Sequence, residues 1–213
     1  MQIYIIAQYL NRPGLEDDRL YKLGREYMLR GDQVTVLSTA SGMDLELGNK
    51  KIGLVQKNGL PTVILNIDYA SQMKKRQKLW AFLKFARSTA RQGRLLPKPD
   101  LIIAVSPPLT AVVPALKLSE YYQVPLVVEI RELWPDAPIK RGSLNNRLII
   151  KAARRLEEKV YKKADWIIAG NKGIADAVKE RLVKPEKVTI IPKNVKSKEM
   201  IDRYEQVLSK IVK

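Results

Sequence analysis

Hydrophobic positions along the chain alternate between short solid runs and long spaced stripes. Residues 2–8 (QIYIIAQ) are nearly all apolar, as in a strand covered on both faces of a parallel sheet. After a Pro13–Gly14 turn, Leu20, Leu23, Tyr27 and Met28 recur at helical spacing and predict a helix over 15–30. Gly31 stands where a left-handed C-cap is expected, and QVTVLST (33–39) reads as the next strand. Such a strand–helix–strand unit predicts a right-handed parallel crossover.

The same alternation continues. Solid runs at 61–67, 100–106, 125–130, 165–170 and 187–192 predict strands, and 41–60 is ambiguous, with a short strand near 52–56. Helices are expected over 71–92, from Pro107–Pro108 to about Tyr122, and over 172–182. Another is expected from a Ser143 cap to Lys163, with Leu144, Leu148, Ala152, Leu156 and Val160 on its inner face. Together these predict a single doubly wound, Rossmann-like α/β domain over 1–195 with a mainly parallel sheet. The tail (199–212) carries Ile201, Tyr204, Val207, Leu208 and Ile211 on one face, so it is expected to be a helix packing back on that domain.

Composition narrows the chemistry. The 213 residues suit one domain and contain neither Cys nor His. Disulfides, thiolate nucleophiles, the commonest metal ligands and the commonest general base are therefore excluded, and neither metal nor cofactor is expected. A net charge of +17 favours polyanions: nucleic acid, an anionic membrane or phosphorylated substrates. The N-terminal run reads as a strand rather than a signal peptide, and no stretch approaches a membrane span. A cytoplasmic chain, peripheral at the membrane, is the expectation.

In doubly wound sheets ligands gather where the strands end. Asn11, Arg12 and Gly14 follow the first strand, but without a GxGxxG pattern; they suit a phosphate approach or a plain turn equally. Ser106 ends a later strand. EIRELWPD (129–136) then places Glu129, Arg131, Glu132 and Asp136 just past a buried strand, with Glu129 and Arg131 on one side by alternation. This is either an internal ion pair with Trp134 as a core plug or a site. Asn171 and Lys172 open a helix, where they would bind an anion or simply cap it.

The succession REYMLRGDQVTVLST, PDLIIAVSPPL, VPLVVEIRELWPD, LEEKVYKKADWIIAGNKGIADAV and PEKVTIIPKNV resembles the N-terminal domain of bacterial group 1 glycosyltransferases. The likeness covers nearly all of 1–195 and is closest to the branch that builds O-antigen and capsule polysaccharide. It implies a retaining, two-domain GT-B enzyme of which this chain is the acceptor-binding half, inactive alone. The half that binds the nucleotide sugar, with its paired glutamates, has no counterpart here. The helix at 199–212 looks like the family's returning helix, joined directly where the donor domain would be inserted, so an excised or naturally split domain is expected.

The resemblance also implies roles. Glu129, Glu132 and Asp136 are candidates for activating the acceptor hydroxyl. Arg131 would orient a carboxylate or contact phosphate, with Asn11, Arg12, Gly14, Ser106, Asn171 and Lys172 as further contacts. Two departures stand out: the family's site histidine is missing, and Glu132 replaces the usual Asp. The implied acceptor is a saccharide on a polyprenyl diphosphate.

Residues 74–98 contain no acid, and Lys74, Lys75, Arg76, Lys78, Lys84 and Arg87 interleave with Trp80 and other apolar residues. This suits an interfacial helix on anionic lipid, or the solvated face of an ordinary crossover helix. A basic nucleic-acid-binding module and a non-catalytic membrane scaffold are the alternatives; no nucleic-acid reading motif is present, and no specific nucleic acid is expected.

Overall fold

The computed structural model describes residues 1–9, 18–41, 47–67, 73–181 and 184–212. Strands β1 (Gln2–Ile6), β2 (Gln33–Thr39), β3 (Ile52–Lys57), β4 (Leu60–Leu65), β5 (Leu101–Ser106), β6 (Leu126–Ile130), β7 (Trp166–Ala169) and β8 (Val188–Ile190) form one sheet. Its order is β3-β4-β2-β1-β5-β6-β7-β8. Every pairing is parallel except β3 with β4. That antiparallel pair resolves the ambiguous 41–60 region. Asn58 and Gly59 both adopt positive φ (50° and 81°), as a two-residue hairpin turn requires.

Helices α1 (Asp18–Leu29), α2 (Lys75–Gly93), α3 (Val112–Tyr122), α4 (Asp136–Lys140), α5 (Arg147–Lys163), α6 (Lys172–Lys179) and α7 (Ser197–Ile211) cover the sheet. Phe85 of α2, Ala115 of α3, Val160 of α5 and Val178 of α6 share one core layer. Leu20, Leu23 and Tyr27 of α1 meet Met200, Tyr204 and Leu208 of α7 in the other. The tail helix thus returns to the domain, beside α1. Gly31 closes α1 at φ +88°, a left-handed position open to glycine without strain.

Three expectations are corrected. The helix placed after Pro107–Pro108 begins later: Pro108 is extended, and a 3-10 turn over Leu109–Ala111 precedes α3. Ser143 does not cap α5. Its hydroxyl donates to the Pro138 carbonyl at 3.0 Å, whereas Asn146 Oδ1 accepts from the Leu148 and Ile149 N–H groups at 3.0 and 3.1 Å.

The inner face of α5 is also rotated from the apolar stripe. Ala153, Glu157, Val160 and Tyr161 are buried, whereas Leu148 is 79% exposed. Glu157 can occupy the inner face because Tyr161 Oη donates to it at 3.1 Å, and Arg154 and Arg181 at 3.1 and 2.5 Å. A buried carboxylate is tolerated when paired and hydrogen-bonded.

Candidate functional site

Successive units build outward from β1 through β2 and β4, then resume on its other side with β5, β6, β7 and β8. The chain therefore reverses between β1 and β5, and the strand ends there are where ligands bind in sheets of this kind. Ile6 pairs with Ala104, so Gln8 comes level with Ser106 two residues further on, and Ser106 pairs with Ile130. The Arg131 N–H donates to the Ser106 carbonyl at 3.0 Å, holding the start of the EIRELWPD turn against this edge.

This edge collects buried polar atoms without partners among the described residues. Gln8 and Ser106 are each 1% exposed. Gln8 Nε2 donates to Tyr9 Oη at 2.9 Å and its carbonyl accepts from Thr39 Oγ1 at 2.7 Å. Among the described residues its Oε1 has no hydrogen-bond partner, nor do Ser106 Oγ, Thr110 Oγ1 and Arg19 Nη2. Most buried polar groups are paired, because leaving one unpaired costs about 1–3 kcal/mol. Four such atoms on elements meeting at one strand edge fit a site shaped to receive polar ligand atoms.

Glu129 is the electrostatic centre behind that edge. It is fully buried. Arg131 Nε donates to its Oε1 at 3.1 Å, Arg19 Nε lies 3.5 Å from the same oxygen, and Tyr204 Oη donates to Oε2 at 2.6 Å. Burial alone pushes the Glu129 carboxyl up. The charges of Arg131 and Arg19 and the hydrogen bonds from Arg131 and Tyr204 outweigh it, and the net direction is down. Burial, followed by the Glu129 charge, raises the Tyr204 phenol well above its usual range. Arg19 also donates to the Ile191 and Pro192 carbonyls at 3.0 and 3.2 Å, fastening the segment that leads into α7. Two guanidinium groups, those of Arg131 and Arg19, meet this one carboxylate.

The three candidate carboxylates do not converge. Glu129 is sealed from solvent, which corrects the expectation that it meets an acceptor hydroxyl directly; its contacts hold Arg131 and Arg19 in place. Glu132 pairs with Arg141 at the exposed rim. Asp136 begins α4 and is bound by Arg154 and, at 2.8 Å, by Arg181. Its carboxyl is held below the usual range first by the Arg154 hydrogen bond, against burial, with Arg181 adding to it. Asp136→Asn is expected to cost about 1–3 kcal/mol, read as a lower urea midpoint at neutral pH. The difference from wild type should shrink as pH falls through the depressed Asp136 pKa, since the contribution exists only while the carboxylate is ionised.

The other candidates are distributed. Asn171 Oδ1 accepts from the Ile174 N–H at 2.9 Å and so caps α6, while Lys172 pairs with Asp176 at 2.7 Å. Asn11, Arg12 and Gly14 lie outside the described residues, as does the Lys75 side chain. On α2, Arg76, Leu79, Trp80, Leu83, Lys84 and Arg87 form one exposed stripe. Lys74 precedes the helix, and Lys78 is half-buried beside the stripe. Gln8, Arg19, Thr110 and Tyr204 are absent from the sequence-derived set. Arg19 falls within a helix pattern and Tyr204 within the tail stripe, so neither carries a local signal of its role.

The domain is thus a doubly wound α/β domain whose candidate ligand site lies at the switch point. More particularly, the chain belongs to the family of glycosyl transferase 4-like domains, whose pattern it matches over residues 17–194. No curated protein matches the sequence.

Similar solved structures include a shorter chain of Thermosynechococcus elongatus sucrose-phosphate synthase, with TM-score 0.65 and 11% identity over 99% of this chain and 98% of that one. The longer sucrose-phosphate synthase from the same organism matches with TM-score 0.64 and 11% identity, over 90% of this chain and 48% of that one. Anabaena HepE, in complex with UDP and glucose, matches with TM-score 0.55 and 18% identity, over 98% and 50%. The chain therefore spans about half the length of these two longer relatives. At such identities the likeness establishes the fold, that of a Rossmann-like half of a GT-B glycosyltransferase.

Proposed function

We propose that this domain is the acceptor-binding half of a retaining glycosyltransferase of the O-antigen and capsule type. It would act in cell-surface polysaccharide synthesis on a saccharide carried by a polyprenyl diphosphate. A nucleotide sugar would be supplied through a separate donor domain, without which the chain is inactive. The observation carrying this reading is the switch-point edge, where Gln8, Ser106, Thr110 and Arg19 present unpaired polar atoms beside Arg131 in a chain of glycosyltransferase family. Hydroxyls and an amide suit a sugar, and guanidinium groups suit a diphosphate.

Arg131 contacts the acceptor's phosphate, with Glu129 as a positioning residue behind it. Asn171 and Lys172, which follow β7, and Asn11, Arg12 and Gly14, which follow β1 in the sequence, are the further contacts of this reading. Glu132, at the rim, is the carboxylate for activating the hydroxyl. Asp136 is the weaker candidate, because a carboxylate held below its ordinary pKa is a poor base. The same reading divides the chain at 195, with the donor domain inserted between residues 1–195 and the returning helix α7.

Calorimetric titration tests the reading. The chain is expected to bind a short-chain polyprenyl diphosphate saccharide, to lose about tenfold or more in affinity on Arg131→Ala, and to bind UDP-sugar poorly. Tight UDP-sugar binding with no acceptor binding would overturn it.

The acceptor's lipid places the enzyme peripherally on the inner face of the cell membrane. No helix among the described residues is long and apolar enough to cross a bilayer. The α2 stripe suits surface attachment instead: Trp80 is 68% exposed and Leu79 and Leu83 about half exposed, between Lys74, Arg76, Lys84 and Arg87.

A further inference from the structure

The positive excess of this chain is not spread over its surface. Residues 74–98 hold nine Lys and Arg and no acid, and residues 137–156 hold six and again no acid. The remaining 24 Lys and Arg nearly balance all 22 Asp and Glu, so these two stretches account for +15 of the +17 net charge. One spans α2. The other runs from α4 through the first three turns of α5.

The fold brings the starts of the two stretches to one rim. Helix α2 packs on α3 and α3 on α5, so all three share one layer. The α5 helix has 17 residues, roughly 25 Å, against roughly 17 Å for the five residues of β6. Only Ala164 and Asp165 separate its end from β7. Its surplus length therefore projects at the start, past the edge where the parallel strands end. Helix α2 also begins at that edge, since it follows β4.

The projecting turn of α5 is apolar at its tip. Leu148 is 79% exposed and Ile149 45% exposed, and Arg147, Lys151 and Arg155 around them are exposed too. Phosphate contacts alone would not call for two aliphatic side chains among these cations. An anionic lipid surface takes both, cations at the headgroups and aliphatics below them.

We propose that the start of α5 is a second membrane foot. With α2 it sets the rim where the parallel strands end, not merely the domain, against an anionic bilayer. This rests on the membrane reading of α2 given above, and adds an attachment point and an orientation.

Because the chain has no Cys, single cysteines label cleanly. An environment-sensitive dye is placed on Leu148→Cys, Leu79→Cys or Leu29→Cys. Leu29 is 81% exposed at the end of α1, on the other face of the sheet. Vesicles of equal phosphatidylglycerol and phosphatidylcholine are expected to blue-shift the dye at 148 and 79 but not at 29. Pure phosphatidylcholine should shift none. Replacing Arg147, Lys151 and Arg155 by Gln should weaken partitioning about 100-fold at low salt.

A silent dye at 148 with a response at 79 would overturn the second foot and leave α2 attachment standing. Silence at both would overturn both. A shift at 148 that grows with protein concentration without vesicles would instead assign the tip to a second copy of the chain. A shift produced by duplex DNA and not by vesicles would assign it to nucleic acid.

Discussion

Replacing Glu129 by alanine is expected to destabilise the domain by about 3–5 kcal/mol, because it leaves Arg19 and Arg131 facing a cavity in place of a charge. The carboxylate is fully buried and joins three elements: β6, α1 through Arg19, and α7 through Tyr204. The loss would be read as a lower urea midpoint with unchanged slope. Glu129→Gln keeps the shape and an acceptor for Tyr204 but not the charge, so it should fall between wild type and alanine. Tyr204→Phe removes one hydrogen bond to a charged group and should cost about 1.5–3 kcal/mol.

The same carboxylate gives a pH signature. Its folded pKa lies below the ordinary carboxylate value, so its contribution is complete above the unfolded-state value and is lost as pH falls through the folded one. Wild type should therefore lose more stability on acidification than Glu129→Gln does. An alanine variant whose midpoint moves by less than ~0.5 kcal/mol, the range of an ordinary surface change, would show that the guanidinium groups do not depend on Glu129.

Much of this architecture was legible in the chain, and the parts that were not share a cause. Solid apolar runs such as 101–106 marked the central strands because burial on both faces leaves no room for polar residues. The β3–β4 hairpin was harder: β3 alternates half-buried and exposed positions at the sheet's edge. The Asn58–Gly59 pair was the available signal. The α5 face was misplaced because an apolar count cannot see Glu157, whose burial depends on Arg181 from the next helix. Within the candidate site, the Glu129–Arg131 pairing followed from strand alternation. Tyr204, 75 positions away, did not. Partners brought together only by tertiary folding leave no mark on local spacing.

That distant partner makes α7 the element with the largest expected effect. Deleting residues 196–213 would expose the surfaces now covered by Met200, Ile201, Tyr204, Val207 and Leu208, all buried against α1 and the sheet. At about 1.5–3 kcal/mol for each large side chain, the loss is on the order of 10 kcal/mol. That is comparable with the roughly 5–15 kcal/mol that holds a whole domain folded. It would also remove the Tyr204 hydrogen bond from Glu129. The truncated chain is expected to show no cooperative thermal or urea transition by circular dichroism. A peptide spanning 196–213 should restore a transition only at high concentration, because it must pay in association what the covalent linker now supplies. A truncated chain that still melts cooperatively would show that α1 and the sheet are self-sufficient. If it does not, α7 must lie on this face for the domain to fold, and Arg19, which holds the Ile191 and Pro192 carbonyls, fastens the segment that leads into it.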